Sequence, residues 1–108
     1  MVGINWTREA ELWLRDIYNY IALDNKDAAE RTVVGIFQKV QLLTKHPRLG
    51  HRYEPEKLRE IRILIYGHYR IAYLIKSDNR IDILGVFSRR SEHRTLPVIT
   101  ANASQWQT

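Results

Sequence analysis

Past residue 58 the hydrophobic period of the chain changes from about 3.6 to 2. That switch calls for an α+β fold with its helices first and its strands last. Up to Leu43 apolar residues return at three- and four-residue steps. Ala10, Trp13, Leu14, Ile17, Tyr20 and Ile21 make one stripe; Ala29, Val33, Ile36, Phe37, Val40 and Leu43 make a second. Thr7, with Glu9 in the next turn, opens a helix that runs to about Leu23. Asp24-Asn25-Lys26 is turn chemistry, and Asp27 with Glu30 forms a capping box for the second helix. His46-Pro47 ends it, because proline disfavours helical geometry in the residue before it. So short a connection makes the two helices an antiparallel hairpin. Gly35, costly in mid-helix, is expected to mark a close approach between them. Ahead of both, Gly3–Trp6 reads as a short strand.

Residues 47–58 hold two prolines and a glycine and read as a loop. Three alternating runs follow, 59–66, 69–76 and 81–88, separated only by hairpin-length breaks. The expected layout is β-α-α-β-β-β: an N-terminal strand and a helical hairpin packed on an antiparallel sheet of three to four strands. One domain then covers residues 1–94, and the uncharged stretch 95–108 reads as a tail.

A two-residue turn at Gly67-His68 writes down the two sheet faces, since directly opposed residues share a face. One face takes Arg62, Leu64, Tyr66, Tyr69, Ile71, Tyr73 and Ile75; the other takes Ile61, Ile63, Ile65, Arg70, Ala72 and Leu74. A two-residue turn at Asp78-Asn79 adds Leu84 and Val86 to the first, and Ile81, Ile83, Gly85 and Phe87 to the second. Both faces are apolar, yet two helices cover only one. The second is expected to seek a partner, unless loop 47–58 or the tail folds over it. Arg70 falls opposite Phe87, with Arg89 one same-face step beyond. Two guanidiniums beside the small residues Ala72 and Gly85 suit a carboxylate or a phosphate. Pairing of Arg70 with a local acid such as Glu60 or Asp82 is the plain alternative.

Charge follows the same division. The chain carries a net +5, all of it from residues 48–94, while residues 1–47 balance six cations against six acids. The second half thus presents positive potential to nucleic acid or to an acidic protein. There is no cysteine, hence no disulfide or thiolate ligand. No apolar run approaches 18 residues and the N-terminus has no signal-like pattern, so the expected setting is the cytoplasm, without a membrane. Gly-rich phosphate loops, nucleophile elbows and zinc-protease motifs are absent. The histidines at 46, 51, 68 and 93 never stand four apart on one helix, so neither a metal nor another cofactor is expected.

The order of segments resembles the RelE/ParE superfamily of toxins from type II toxin–antitoxin modules, the ParE side most. The matching pieces begin with Ala10, Trp13, Ile17, Tyr20, Ile21 and Ala22, then Ala-Ala-Glu-Arg at 28–31 and Leu-x3-Pro-x-Leu-Gly at 43–50. Arg-Glu-Ile-Arg-Ile at 59–63, Tyr-Arg-Ile-x-Tyr at 69–73 and Ile-Leu-Gly-Val-Phe-x-x-Arg at 83–90 complete the set. The resemblance implies two helices on an antiparallel sheet and an antitoxin whose C-terminal segment wraps the toxin in a hetero-oligomer. Ile61, Ile63, Ile65, Arg70, Leu74, Ile83, Phe87 and Arg89 are the residues expected to meet that antitoxin. ParE-like members inhibit DNA gyrase, whereas RelE-like members cleave mRNA on the ribosome. The nuclease branch uses basic residues where Ile61 and Ile63 stand here; of its other groups, Arg70 and either Arg89 or Arg90 match. His93 is its one candidate base, and Ser88 stands where ParE-like members often have histidine. The chain is thus expected to be a binding toxin and not an enzyme. An endoribonuclease and a non-toxic member that only binds antitoxin stand as alternatives.

Overall fold

The computed structural model describes residues 2–88 of the chain. The tail at 95–108, together with Arg89, Arg90 and His93, lies outside the described residues. Strand β1 (Gly3–Trp6) leads into α1 (Arg8–Ala22) and α2 (Lys26–Gln41), and a 3-10 turn at Leu42–Thr44 follows. Then come β2 (His51–Arg52), β3 (Glu60–Tyr66), β4 (Tyr69–Ile75) and β5 (Arg80–Ser88). The five strands form one sheet in the order β1-β5-β4-β3-β2. The meander β2 to β5 is antiparallel, and β1 joins its edge parallel to β5, so the sheet is mixed and one strand larger than expected.

Thr7 caps α1 as its sequence position demands. Its Oγ1 accepts from the Ala10 amide at 3.2 Å and also donates to the Ile83 carbonyl at 2.6 Å, tying the start of the helix to β5. The cap of α2 falls two residues earlier than expected. Asn25 Oδ1 accepts from the Ala28 amide at 3.0 Å, which moves Asp27 into the first turn, where a carboxylate favours the helix dipole. Ala10, Leu14, Ile36, Val40 and Leu43 pack on Leu64, Ile71, Tyr73, Ile81, Ile83 and Val86 to make the main core. Tyr20, assigned to the α1 stripe by spacing, is instead 73% exposed. Gly35 does mark a close approach, but to the sheet and not to α1. A Cβ there would run into the Tyr66 hydroxyl.

The β3–β4 register is the one the Gly67-His68 turn demands, with Tyr66 opposite Tyr69 and Ile61 opposite Leu74. Gly67 takes a positive φ of 57° at that turn. The β4–β5 hairpin differs. Its loop has three residues, 77–79, closed by the Lys76 amide on the Arg80 carbonyl at 2.8 Å, with Asn79 left-handed at φ 62°. Ile75 therefore opposes Ile81, and Tyr73 opposes Ile83. A bulge then inserts Leu84, after which Ala72 meets Gly85 and Arg70 meets Phe87. The expectation that Ile81 and Ile83 lie on the second face, and Leu84 on the first, is thereby corrected. The odd loop moves the isoleucines under the helices, and the bulge turns Leu84 away from them.

Candidate functional site

The second face is built in three cross-strand rows. Ile65, Arg70 and Phe87 form the row nearest the β3–β4 turn; Ile63, Ala72 and Gly85 the middle one; Ile61, Leu74 and Asp82 the far one. Ile61, Ile63, Ala72, Leu74, Leu84 and Phe87 pack together as a second apolar cluster. Each is at most 5% exposed, so this face is a second core and not the open surface expected from the helix count. Tyr53, from the loop before β3, and Trp13, from α1, pack against it. Trp13 meets the Phe87 ring edge-on at a centroid distance of 4.9 Å. Loop residues thus do fold over part of the face. Its exposed rim lies at the turn end, where Ile65 is 48% exposed and Arg70 half-buried.

Of the eight residues expected to contact a partner, Ile61, Ile63, Leu74 and Phe87 form the floor, and Ile65 and Arg70 the rim. Ile83 is fully buried on the opposite face, moved there by the three-residue loop, and Arg89 lies outside the described residues. The two local acids expected as alternative partners of Arg70 hold other groups. Arg48 grips Glu60 through Nε at 3.0 Å and Nη2 at 3.2 Å, and Arg62 Nε reaches the same carboxylate at 2.8 Å. Burial works against the charge on Glu60, yet these two guanidiniums hold its pKa below the ordinary 4.5. Asp82 accepts from Asn5 Nδ2 at 3.2 Å and pairs with Lys76 at 3.3 Å.

Sequence reasoning missed His51. It sits on β2 directly opposite Ile63, which places it on the second face at the sheet edge. A two-residue strand has no periodicity to read, so nothing in loop 47–58 announces it. From strand spacing and rise it stands about 12 Å from Arg70, two strands and one row away. Tyr73, on the helix-covered face, is committed structurally: its hydroxyl donates to the Pro47 carbonyl at 2.7 Å and accepts from the Gly50 amide at 2.9 Å. Burial pushes its pKa up. Among the described residues no three His, Asp or Glu side chains gather as a metal site, and no helix is long and apolar enough to cross a membrane.

A family model described as the ParE toxin of the type II toxin–antitoxin system, parDE, matches residues 4–93. No curated protein sequence matches the chain. Among solved structures, a chain from the chromosomal ParDE TA system of P. aeruginosa is similar, at 25% identity and a TM-score of 0.66, covering 82% of this chain and 96% of that one. A chain of the toxin–antitoxin complex RelBE2 from Mycobacterium tuberculosis shares the fold, at 21% identity and a TM-score of 0.52, covering 81% and 96%.

Proposed function

Because the chain belongs to the ParE toxin family of type II toxin–antitoxin systems, we propose that it acts by binding protein: it inhibits DNA gyrase in the cytoplasm and is neutralised by a cognate antitoxin. The observation that carries this reading is the surroundings of Arg70. Among the described strand residues, its same-face neighbours are Ile65 and Phe87 across the ladder and Ala72 one step along β4, and none of these three takes or gives a proton. Cutting RNA by 2′-hydroxyl attack needs a proton acceptor and a donor beside the stabilising charge. Arginine supplies only the charge, since it does not deprotonate in proteins. The positions where the nuclease branch carries basic residues are Ile61 and Ile63, both sunk in the floor. Antitoxin contacts centre on the rim, Ile65 and Arg70, and would continue through Arg89. The similar P. aeruginosa chain is itself part of a chromosomal ParDE TA system, which supports an antitoxin partner here.

Gyrase supercoiling assays and primer extension on translating ribosomes, run on the same preparation, test the proposal. Inhibited supercoiling without mRNA cleavage is the expected result. Clean cleavage within codons, with gyrase untouched, overturns it in favour of the endoribonuclease. His51→Ala would then be the first variant to examine, because His51 shares a face with Arg70.

A further inference from the structure

The far end of the sheet, away from Arg70, carries a recess between the loop at Pro47-Arg48, the segment Leu58–Glu60 and the β4–β5 hairpin. Leu58, Arg59, Leu74 and Lys76 are among the residues that line it. Two features there have no role in the fold as described. Arg59 gives Nη2 to Glu56, but its Nε and Nη1 are buried without a hydrogen-bond acceptor among the described residues. Buried N–H groups of a cation are costly to leave unmade, and such orphans call for an acceptor. Beside them Leu58 is 93% exposed, an apolar side chain held in water.

We propose that this recess is a carboxylate-binding pocket for an acidic residue of a bound peptide, whose neighbouring apolar residue rests on Leu58. Two N–H groups of Arg59 left without an acceptor, beside an exposed leucine, match an acid next to an aliphatic side chain. A peptide fits better than a nucleic-acid backbone, because Val2, Leu58, Leu74 and Ile75 in the lining give its apolar side chains ground to rest on, which a sugar–phosphate chain does not use. The proposal deepens the protein-binding reading by naming chemistry the partner brings. It is tested without gyrase, so a failed supercoiling assay and a failed pocket are told apart.

The probes are acetyl-Leu-Glu-Leu-amide, its glutamine counterpart and inorganic phosphate, titrated into the full chain while the Arg59 Nε–H resonance is followed. The glutamate peptide should shift that resonance and saturate, and the glutamine peptide should bind at least about tenfold more weakly, as loss of a charge-assisted hydrogen bond implies. Arg59→Lys, which keeps a cation beside Glu56, should weaken the glutamate peptide. Leu58→Ser should do so as well, at an exposed position where folding is not at stake. Arg15→Lys, the same exchange on α1, should change nothing. Equal binding of both peptides, an unmoved Arg59 resonance, or binding of phosphate alone overturns the proposal.

Discussion

Tyr73→Phe isolates one buried hydroxyl on which the loop before β2 depends. In the native protein this group bridges the Pro47 carbonyl and the Gly50 amide, at 2.7 and 2.9 Å, from a side chain with no exposed surface. Removing it forfeits two hydrogen bonds worth about 1 kcal/mol each and leaves the Gly50 amide in a buried position. Arg62 Nη1 still donates to the Gly50 carbonyl at 2.7 Å, which keeps the loop near its place and caps the damage. The net cost should be about 2–3 kcal/mol. For a domain of this size that lowers the melting temperature by roughly 10–20 °C. Urea unfolding should show the same loss in the midpoint with an unchanged slope, because the surface exposed on unfolding is unaltered. A cost below about 0.5 kcal/mol would refute the reasoning: water would then replace both bonds, and the loop would not hang on this hydroxyl.

Glu56 is held below its ordinary 4.5 first by the Arg59 hydrogen bond, with burial opposing, and Glu60 is lowered too. A depressed carboxylate contributes stability that is present above 4.5 and lost as pH falls through the folded value. Melting temperature should therefore drop below pH 4.5, and Glu56→Gln should flatten that slope. Gly35→Ala gains helix propensity of about 1 kcal/mol but drives a methyl into Tyr66. It should be neutral or destabilising alone and stabilising in a Tyr66→Ala background, a sign reversal that a denaturation double-mutant cycle reads directly. Arg70→Ala should weaken antitoxin binding by roughly 1–3 kcal/mol in calorimetry. Adding Arg89→Ala should cost less than the sum if both arginines hold one anion.

The layout was legible from Thr7 to Tyr73 because period and turn residues agree there, apart from the α2 cap, which moves to Asn25, and the two-residue strand β2. The β4–β5 hairpin was not, for a reason set in two places. Asn79 tolerates the left-handed conformation that closes a three-residue loop, and its side chain type is equally at home in a two-residue turn. The resulting one-residue slip is undone at Leu84, inside a run, Ile81 to Phe87, in which nearly every position is apolar. Alternation cannot reveal a bulge where both faces are hydrophobic. Arg70 opposite Phe87 was nevertheless legible, since that row lies beyond the bulge, where slip and insertion cancel. Ile83 lies before it and was misplaced. Burial of the second face was legible only as an alternative: Trp13 suits the α1 stripe facing the main core, and no spacing rule says that it also reaches Phe87.

Charge placement separates the two kinds of partner that a basic half admits. All five acids of residues 48–88 are engaged within that same segment. Glu54 pairs with Lys57, Glu56 with Arg59, Glu60 with Arg48 and Arg62, Asp78 with Arg80, and Asp82 with Lys76. Cations alternating with acids do not make the continuous row of phosphate contacts on which a polyanion depends for affinity. The two positions proposed to meet a partner lie apart, Arg70 at one end of an apolar floor and the unmet nitrogens of Arg59 toward the other. Glu60 pairs with Ile75, five residues along β4 from Arg70, and Arg59 is one residue farther, a span of about 20 Å along the strands. A peptide with acids at that separation would meet both ends at once, with an apolar residue beside each acid resting on exposed Ile65 at one end and exposed Leu58 at the other.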